Sequence, residues 1–332
     1  MTDRSFKTNI LVTGGAGYVG SVVAEGLLSR GYRVTVVDNL QQGHREAVLP
    51  GVELIVGDIR DEAFIDNVFG RYDIDAVVHM AADSIVERSM ADPRECFINN
   101  VGGGMNLLNG MLKHGVPDIV FSSSAAVYGE PRGIPIDEDH PCDPVNTYGD
   151  SKYMFERILS RYGMAYGIKH ASLRYFNAAG ASDRLGEDHR PETHLIPNVL
   201  QSAIDRARVT VYGNDYPTDD GSCIRDYVHV GDIAQAHVLT LEKLGDLSGR
   251  AYNLGSGKGC SVLGVIEAAR RITGVDIPID IAPRRAGDPA ILVASCELAK
   301  KEIGWGPEFD RIDDIIESAW RWKREHPAGY GD

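Results

Sequence analysis

Long apolar runs, paired cysteines and basic charge are what this sequence has least of. Met1 to Asn9 is polar, and the apolar stretch behind it is far too short for a signal core or a membrane span. The expected location is therefore cytoplasmic, with no membrane partner. The five cysteines (Cys96, Cys142, Cys223, Cys260 and Cys296) are scattered and odd in number, which suits reduced thiols better than a disulfide framework. They form no C-x-x-C pair and have no histidine spacing that suits zinc, so no metal is expected. Lys and Arg number 34 against 48 Asp and Glu, a formal net charge of -14 that argues against a nucleic-acid partner. A local arginine cluster would still suffice to hold a small anion. Internal repeats and low-complexity segments are also missing, which excludes solenoids and fibrous classes.

What is present is alternation. Asn9-Ile10-Leu11-Val12-Thr13 has the composition of a short buried strand, and it runs straight into Gly14-Gly15-Ala16-Gly17-Tyr18-Val19-Gly20. A helical pattern carrying Val22, Val23, Leu27 and Leu28 follows. Gly14, Gly17 and Gly20 are spaced G-x-x-G-x-x-G, which permits a tight turn and close approach of backbone N–H groups to a pyrophosphate at the helix start. A second strand, Arg33 to Val37, ends in Asp38, whose carboxylate would bond ribose hydroxyls and repel a 2′-phosphate. Strand, glycine turn, helix, strand and terminal acid together predict dinucleotide binding, with NAD favoured over NADP.

Glu53 to Val56 is a third strand leading to Asp58-Ile59, and Ala76 to Met80 a fourth leading to Ala81-Ala82. Ile119 to Phe121 is a fifth, ending in Ser122-Ser123-Ser124. Helices are expected over Asp61–Arg71 and Ala91–Lys113, the latter weakened or packed closely at Gly102-Gly103-Gly104. His79, at a strand end, is expected to be structural. Strands alternating with helices at this period predict an α/β fold with a parallel, doubly wound, Rossmann-type sheet. Its ligands would bind beyond the carboxyl ends of the strands. After a sixth strand, Ala171 to Tyr175, the alternation breaks down, and the rest predicts a smaller mixed α/β domain. Helices are expected there over His194–Arg206, Asp232–Leu244, Val262–Thr273, Leu298–Ile303 and Ile312–Glu325, with an extended segment up to Asp288.

Tyr148 and Lys152 are four apart at the head of a predicted helix and so share one face. A phenol of pKa about 10 is a poor base at neutral pH, and a neighbouring ammonium would lower that value. One lysine in a solvated site would hardly supply the roughly 4 kcal/mol needed to bring it near 7, so a second positive charge is required. Spacing alone decides little, because chance placement yields roughly 0.4 such pairs in a chain of this composition.

The run of motifs in order resembles the extended short-chain dehydrogenases/reductases and, within them, the UDP-glucose 4-epimerase family. It comprises Thr13 to Gly20, Ser122 to Gly129, Tyr148 to Lys152, Leu173 to Gly180, His194 to Pro197 and Tyr212 to Val230. It continues with Asn253 to Gly257, Arg284-Arg285-Ala286-Gly287-Asp288 and Pro327 to Asp332. The resemblance implies Tyr148 as catalytic base, Lys152 as the residue that lowers its pKa and binds the nicotinamide ribose, and Ser124 as hydrogen-bond partner of the sugar 4-hydroxyl. It implies that NAD, tightly bound and recycled, is held by Tyr18, Val19, Asp38, Asn39, Leu40, Asp58, Ile59, Met80, Ala81, Ala82, Ser84, Asn99, Ser122 and Phe176. The glycines, Tyr148 and Lys152 would share in that site. For the nucleotide sugar it implies Ser124, Tyr148, Asn177, His194, Leu195, Thr210, Tyr212, Arg225, Arg285, Asp288 and Leu292. Arg225 and Arg285 would supply the planar donor forks that a diphosphate needs. The domains implied are an NAD-binding unit over 8–176 with a return segment 226–255, and a nucleotide-sugar unit over 177–225 and 256–332. A homodimer is also implied.

Three departures touch substrate range. Ala126 stands where many relatives have threonine, Ser84 where some place a lysine, and Leu292 near a position whose bulk governs an N-acetyl group. A sugar-nucleotide 4,6-dehydratase would need an Asp-Glu pair after Ser124, and Ala125-Ala126 offers neither acid nor base. Another UDP-sugar (UDP-N-acetylglucosamine, UDP-xylose/arabinose or UDP-glucuronate) and a catalytically silent NAD-binding regulatory protein stay open as alternatives.

Overall fold

The computed structural model describes residues 8–285 and 288–331. They divide into two compact units. The first takes the chain up to Gly129 with Cys142–Arg174 and Ala234–Tyr252; the second takes Glu130–Pro141, Tyr175–Ile233 and the chain from Asn253 onward. The segment returning to the first unit is thus shorter than the expected 226–255, and Glu130–Pro141 leaves it.

The first unit is built on a seven-stranded sheet. Strands β1 (Asn9–Thr13), β2 (Arg33–Asp38), β3 (Glu53–Val56), β4 (Ala76–His79), β5 (Asp118–Ser124) and β6 (Lys169–Tyr175) lie in the order β3-β2-β1-β4-β5-β6, and Arg250–Leu254 follows β6. β3 through β5 pair in parallel. Every residue of β1 and β4 is buried, as their unbroken apolar runs require of strands covered on both faces. Helices α1 (Tyr18–Ser29) and α2 (Glu62–Arg71) form the crossovers, and α2 starts where the Asp61 carboxylate accepts from the Phe64 N–H.

Between β4 and β5 the expected single helix is more elaborate. Short helices α3 (Val86–Ala91) and α4 (Pro93–Phe97) lead into a π turn over Ile98–Gly103 and then α5 (Gly104–His114). The glycine triplet serves close packing: a Cβ on Gly103 would stand 2.6 Å from the Ile59 side chain, and one on Gly104 2.3 Å from the Phe155 ring. Helix α6 (Thr147–Tyr166) opens with Asn146 capping the Gly149 N–H and carries Phe155 into the core. There Phe121, Phe155 and His79 form an aromatic triangle with centroids 4.8, 5.2 and 5.6 Å apart, each contact worth about 0.5–1.5 kcal/mol beyond area burial. His79 is structural, as expected.

The second unit has a core of its own, in which Ile196, Val199 and Leu200 pack with Val265, Ile266 and Ile316. Helix α7 (Leu195–Asp205) supplies the first three. Its strands are short. Asn177–Ala179 pairs with Tyr227–His229, Val209–Tyr212 with Ile279–Ala282, and Ile224–Arg225 lies between Cys260–Ser261 and Ile291–Leu292. The first of these strands lies just past the sixth predicted strand, where the alternation breaks down, and Ile279–Ala282 falls where sequence predicts only extended chain. The expected helix at Leu298–Ile303 is a π turn over Ala299–Ile303.

Candidate active site

Strand register assembles the first part of the site. Thr13 pairs with Val37 on one side and with His79 on the other, and His79 pairs with Phe121. One step further along, Gly14, Asp38, Met80 and Ser122 therefore line up across four adjacent strands at their carboxyl ends. Strand order reverses between β1 and β4, so this row sits where doubly wound sheets form their ligand crevice.

The glycine turn leaves no room for side chains. Gly14 has a left-handed φ of 72°, and a Cβ there would stand 2.7 Å from the Ala81 nitrogen. A Cβ on Gly20 would lie 2.0 Å from the Gly14 carbonyl oxygen. Tyr18 and Val19 begin α1, which has neither a side-chain cap nor an acid in its first turn. Its first N–H groups and positive helix end are therefore suited to a pyrophosphate. Asp38 is buried at the end of β2, where burial raises its pKa against the backbone donors of Leu40 and Ala16. Those donors lie at 2.8 and 3.0 Å, one on each carboxylate oxygen, so each oxygen keeps a lone pair for a ribose hydroxyl. Leu40 itself takes a left-handed φ of 57°. These features fit NAD: a side-chain-free cradle for the pyrophosphate and a carboxylate for the ribose.

Around this cradle Asn39 donates to Asp58 at 3.2 Å, and the Arg60 guanidinium bonded to Asp58 draws that carboxyl down to about 2. Ile59 is buried, whereas Ser84 is exposed. Met80 and Ala81 are tied back to Thr13. The loop through Ala82 is held by Asn100, which sequence reasoning missed. Its amide accepts from the Asp83 N–H at 2.7 Å and donates to the Asp83 carbonyl at 3.0 Å and to Ser151 on α6 at 2.9 Å. Asn99 donates to Asn100 at 2.9 Å. Two consecutive asparagines inside an apolar helical pattern were the available signal.

The structure brings Ser124, Tyr148 and Lys152 together. A Cβ on Gly149 would be 2.4 Å from the Ala126 carbonyl oxygen, so the start of α6 packs backbone to backbone on the turn after Ser124. Burial pushes the Tyr148 phenol up to about 12, and its hydrogen bond with the Ser124 hydroxyl pulls the other way. Lys152 is buried, donates to the Ser122 carbonyl at 2.7 Å and lies 5.6 Å from the Tyr148 ring centroid and 4.9 Å from that of Phe121. Burial lowers its pKa to about 7 against the charges of Cys96 and Glu156. The lysine alone does not make the phenol acidic, in keeping with the requirement for a second cation.

Behind this group lies a buried ion pair that sequence reasoning also missed. Arg174 donates to both oxygens of Glu156 at 2.9 and 2.6 Å and to the Tyr128 hydroxyl at 2.8 Å, while Ser123 donates to Glu156 at 2.5 Å. It ties α6 to β5 and β6, one helical turn beyond Lys152. The signal was Glu156 four residues after Lys152, on the same buried face.

In the second unit the sequence candidates fall into sets. Arg225 is buried and ion-paired with Asp288, and Leu292 pairs with Arg225 in a parallel bridge. Thr210 and Tyr212 occupy the exposed face of their strand, with the Arg285 guanidinium 4.3 Å over the Tyr212 ring. Phe176 is buried, its N–H bonded to the Leu254 carbonyl, and Asn177 is exposed. His194 and Leu195 stand at the start of α7, with His194 bonded to Glu187 at 2.6 Å and to Glu192 at 3.1 Å. Ala286, Gly287 and Asp332 of the sequence motifs lie outside the described residues.

Residues 10–255 match the model of the NAD dependent epimerase/dehydratase family. The chain is 51% identical over 328 residues to a UDP-glucose 4-epimerase of Lacticaseibacillus casei, covering 97% of this chain and 99% of that one. A crystal structure of a UDP-glucose 4-epimerase superposes with a TM-score of 0.95 at 46% identity, covering 98% of this chain and 100% of that chain. The UDP-glucose 4-epimerase of Bifidobacterium longum, solved in complex with NAD+ and UDP, superposes at 0.92 with 41% identity over 97% and 100% of the two chains.

Proposed function

The chain belongs to the NAD dependent epimerase/dehydratase family, and on that premise we propose that it interconverts UDP-glucose and UDP-galactose by transient oxidation at carbon 4 of the sugar. The observation that carries this most is Tyr148, hydrogen-bonded to Ser124 with the Lys152 ammonium 5.6 Å from its ring centroid, in the unit that holds the side-chain-free glycine cradle, while no acid follows Ser124 at Ala125 or Ala126. An oxidation that reverses itself needs a base and a hydride acceptor; an elimination would need the missing acid.

Gly14, Gly17, Gly20 and the start of α1 would hold the NAD pyrophosphate, Asp38 its adenosine ribose and Lys152 its nicotinamide ribose. When bound, NAD⁺ supplies the hydride acceptor for carbon 4 and the second positive charge beside the phenol. Tyr148 takes the 4-hydroxyl proton as Ser124 hydrogen-bonds that oxygen, and Lys152 steadies the phenolate. The 4-ketopyranose presents its other face before Tyr148 returns the proton, so one residue serves both directions. Arg225 and Arg285 are assigned to the diphosphate. Arg285 has no ion pair among the described residues, whereas Arg225 shares its charge with Asp288.

Cofactor recycled within each turnover predicts conversion of UDP-glucose without added NAD; failure to turn over even with NAD supplied would overturn the proposal. Leu292, partly buried on an edge strand, leaves a second reading in which N-acetylated or pentose UDP-sugars are the better substrates. Parallel assays of UDP-galactose, UDP-N-acetylgalactosamine, UDP-xylose and UDP-galacturonate rank them. No described helix is long and apolar enough to cross a membrane, and a cytoplasmic homodimer belongs to this proposal. Exposed Ile98, Met105, Met154 and Met164 on helices of the first unit offer apolar surface for pairing, and light scattering reads the resulting mass.

A further inference from the structure

The loop before α7 gathers four side chains from one eight-residue stretch, Glu187-x-His189-x-x-Glu192-x-His194. Each offers one ligand atom, and the four atoms lie within 4.8 Å of one another. No sequence rule for zinc flagged this spacing, since it contains no cysteine and ends at the head of a predicted helix.

Both imidazoles aim the same nitrogen, Nδ1, at the same two carboxylates. Glu187 Oε1 is 3.1 Å from His189 Nδ1 and 2.6 Å from His194 Nδ1. Glu192 is 3.1 Å from His194 Nδ1 and 3.8 Å from His189 Nδ1. Four ligands at the Zn–N and Zn–O distances of a tetrahedral centre stand about 3.3 Å from each other, and these separations bracket that value.

Two histidines and two carboxylates also match a divalent ion in charge. The two imidazole rings stand side by side with centroids 5.2 Å apart. A single divalent cation bound by two neutral imidazoles and two carboxylates would leave the cluster without net charge.

A second observation points the same way. The Glu187 side chain is only 8% exposed, and among the described residues its carboxylate meets only the two imidazoles. A carboxylate so buried needs a positive charge beside it, which a cation held between the four side chains would supply. The surroundings are also fixed. Glu192 Oε1 accepts the backbone N–H groups of Thr193 and His194 at 2.8 Å, the kind of outer bonding that orients metal ligands. The Tyr330 N–H donates to Asp188 at 3.0 Å, and the Tyr330 hydroxyl bonds Gly186 at 3.1 Å, so the C-terminal segment grips the start of the loop.

We propose that Glu187, His189, Glu192 and His194 form a structural site for a zinc-class divalent cation that fixes the loop leading into α7. Nitrogen and carboxylate ligands in a compact set select zinc or its borderline neighbours over magnesium and calcium, which prefer oxygen alone. The site uses none of Ser124, Tyr148 or Lys152, but it shares His194 with the residues that the resemblance implies for the nucleotide sugar, so its test reads metal uptake and not epimerase activity.

The test is titration of the full-length, chelator-treated and dialysed protein with Zn²⁺, alongside His189→Gln and Glu187→Gln, with Co²⁺ as a spectroscopic substitute. The site predicts one Zn²⁺ per chain, an affinity at least 100-fold weaker in either variant, and the visible absorption bands of tetrahedral Co²⁺ in the wild type only. It also predicts a Tm that rises with Zn²⁺ in the wild type and not in the variants. Binding by stray thiols would be equal in all three proteins, and equal affinities would overturn the proposal. So would wild-type protein that takes up no metal, which would leave the cluster as histidine–glutamate ion pairs. Should one variant fail to fold, the other carries the comparison, and an anomalous-scattering peak among the four residues in Zn²⁺-soaked wild-type crystals decides independently.

Discussion

Tyr148 and Lys152 change places in an instructive way when burial is taken into account. The phenol is raised to about 12 and the ammonium lowered to about 7, so at neutral pH the phenol keeps its proton and the lysine is about half charged, and a phenolate needs another cation. Tyr148→Phe removes only the hydroxyl. It should reduce kcat by about 10²–10⁴-fold while bound NAD still copurifies, measured by coupled assay and cofactor absorbance. Near-normal turnover would remove Tyr148 from its assigned role. The buried pair behind them makes a different demand. Glu156→Gln leaves the Arg174 guanidinium in a protein interior without its carboxylate, and loss of one partner of such a pair costs about 3–5 kcal/mol. Urea denaturation should show that loss, with a large part recovered in Glu156→Gln/Arg174→Met, where neither charge remains. A double variant no more stable than the single one would mean the pair is not energetically coupled.

At the scale of elements, what could be read from sequence follows how local the cause is. β1, the glycine turn and α1 are legible because apolar run, steric freedom and helix pattern follow one another along the chain. Asp38, Met80 and Ser122 are legible for the same reason, each ending a strand. Asn100, Arg174 and the Glu187 cluster were not, because their partners lie across the fold (Asp83 and Ser151 for the first, Glu156 for the second) or on a loop without periodicity. Asn177–Ala179 escaped too, since three residues carry no period and their pairing with Tyr227–His229 is long-range. The glycine triplet was half legible. Sequence allowed either a weak helix or close packing, and the Ile59 and Phe155 contacts select packing. Neighbouring glycines should then respond with opposite sign. Gly104→Val drives a side chain into Phe155 and should cost about 1–3 kcal/mol or more by overpacking. A Cβ on Gly102 meets nothing closer than 3.9 Å, so Gly102→Ala should gain about 0.5–1 kcal/mol. Thermal unfolding of both variants reads the signs, and equal effects would count against glycine as a packing device here.

The whole molecule carries a pH dependence set by histidines rather than by its many carboxylates. His79 in the first unit is held down to about 3, by burial first and then by the charge of Lys152. His229 in the second is held down to about 4 by burial, which outweighs its bond from Ala181, with Arg321 adding to the fall. Unfolded, each would titrate near 6.5. As pH falls below that value the unfolded chain takes up protons that the folded chain refuses, so stability drops by up to about 1.4 kcal/mol per pH unit for each ring. The carboxyls of Asp38, Asp226 and Asp232, raised by burial, act with opposite sign. On the alkaline side, His189 is raised to about 9, its burial outweighed by Glu187 and Glu192. It contributes stability that is fully present below 6.5 and is lost as pH rises through 9. In chelator, stability should therefore peak near pH 6.5 and fall on both sides. His79→Phe should flatten the acid limb by up to about 1.4 kcal/mol per pH unit, and His189→Gln should flatten the alkaline limb. Urea titrations at pH 5, 6.5 and 8.5 separate the two, and an acid limb unchanged in His79→Phe would show that its ring does not stay neutral in the fold.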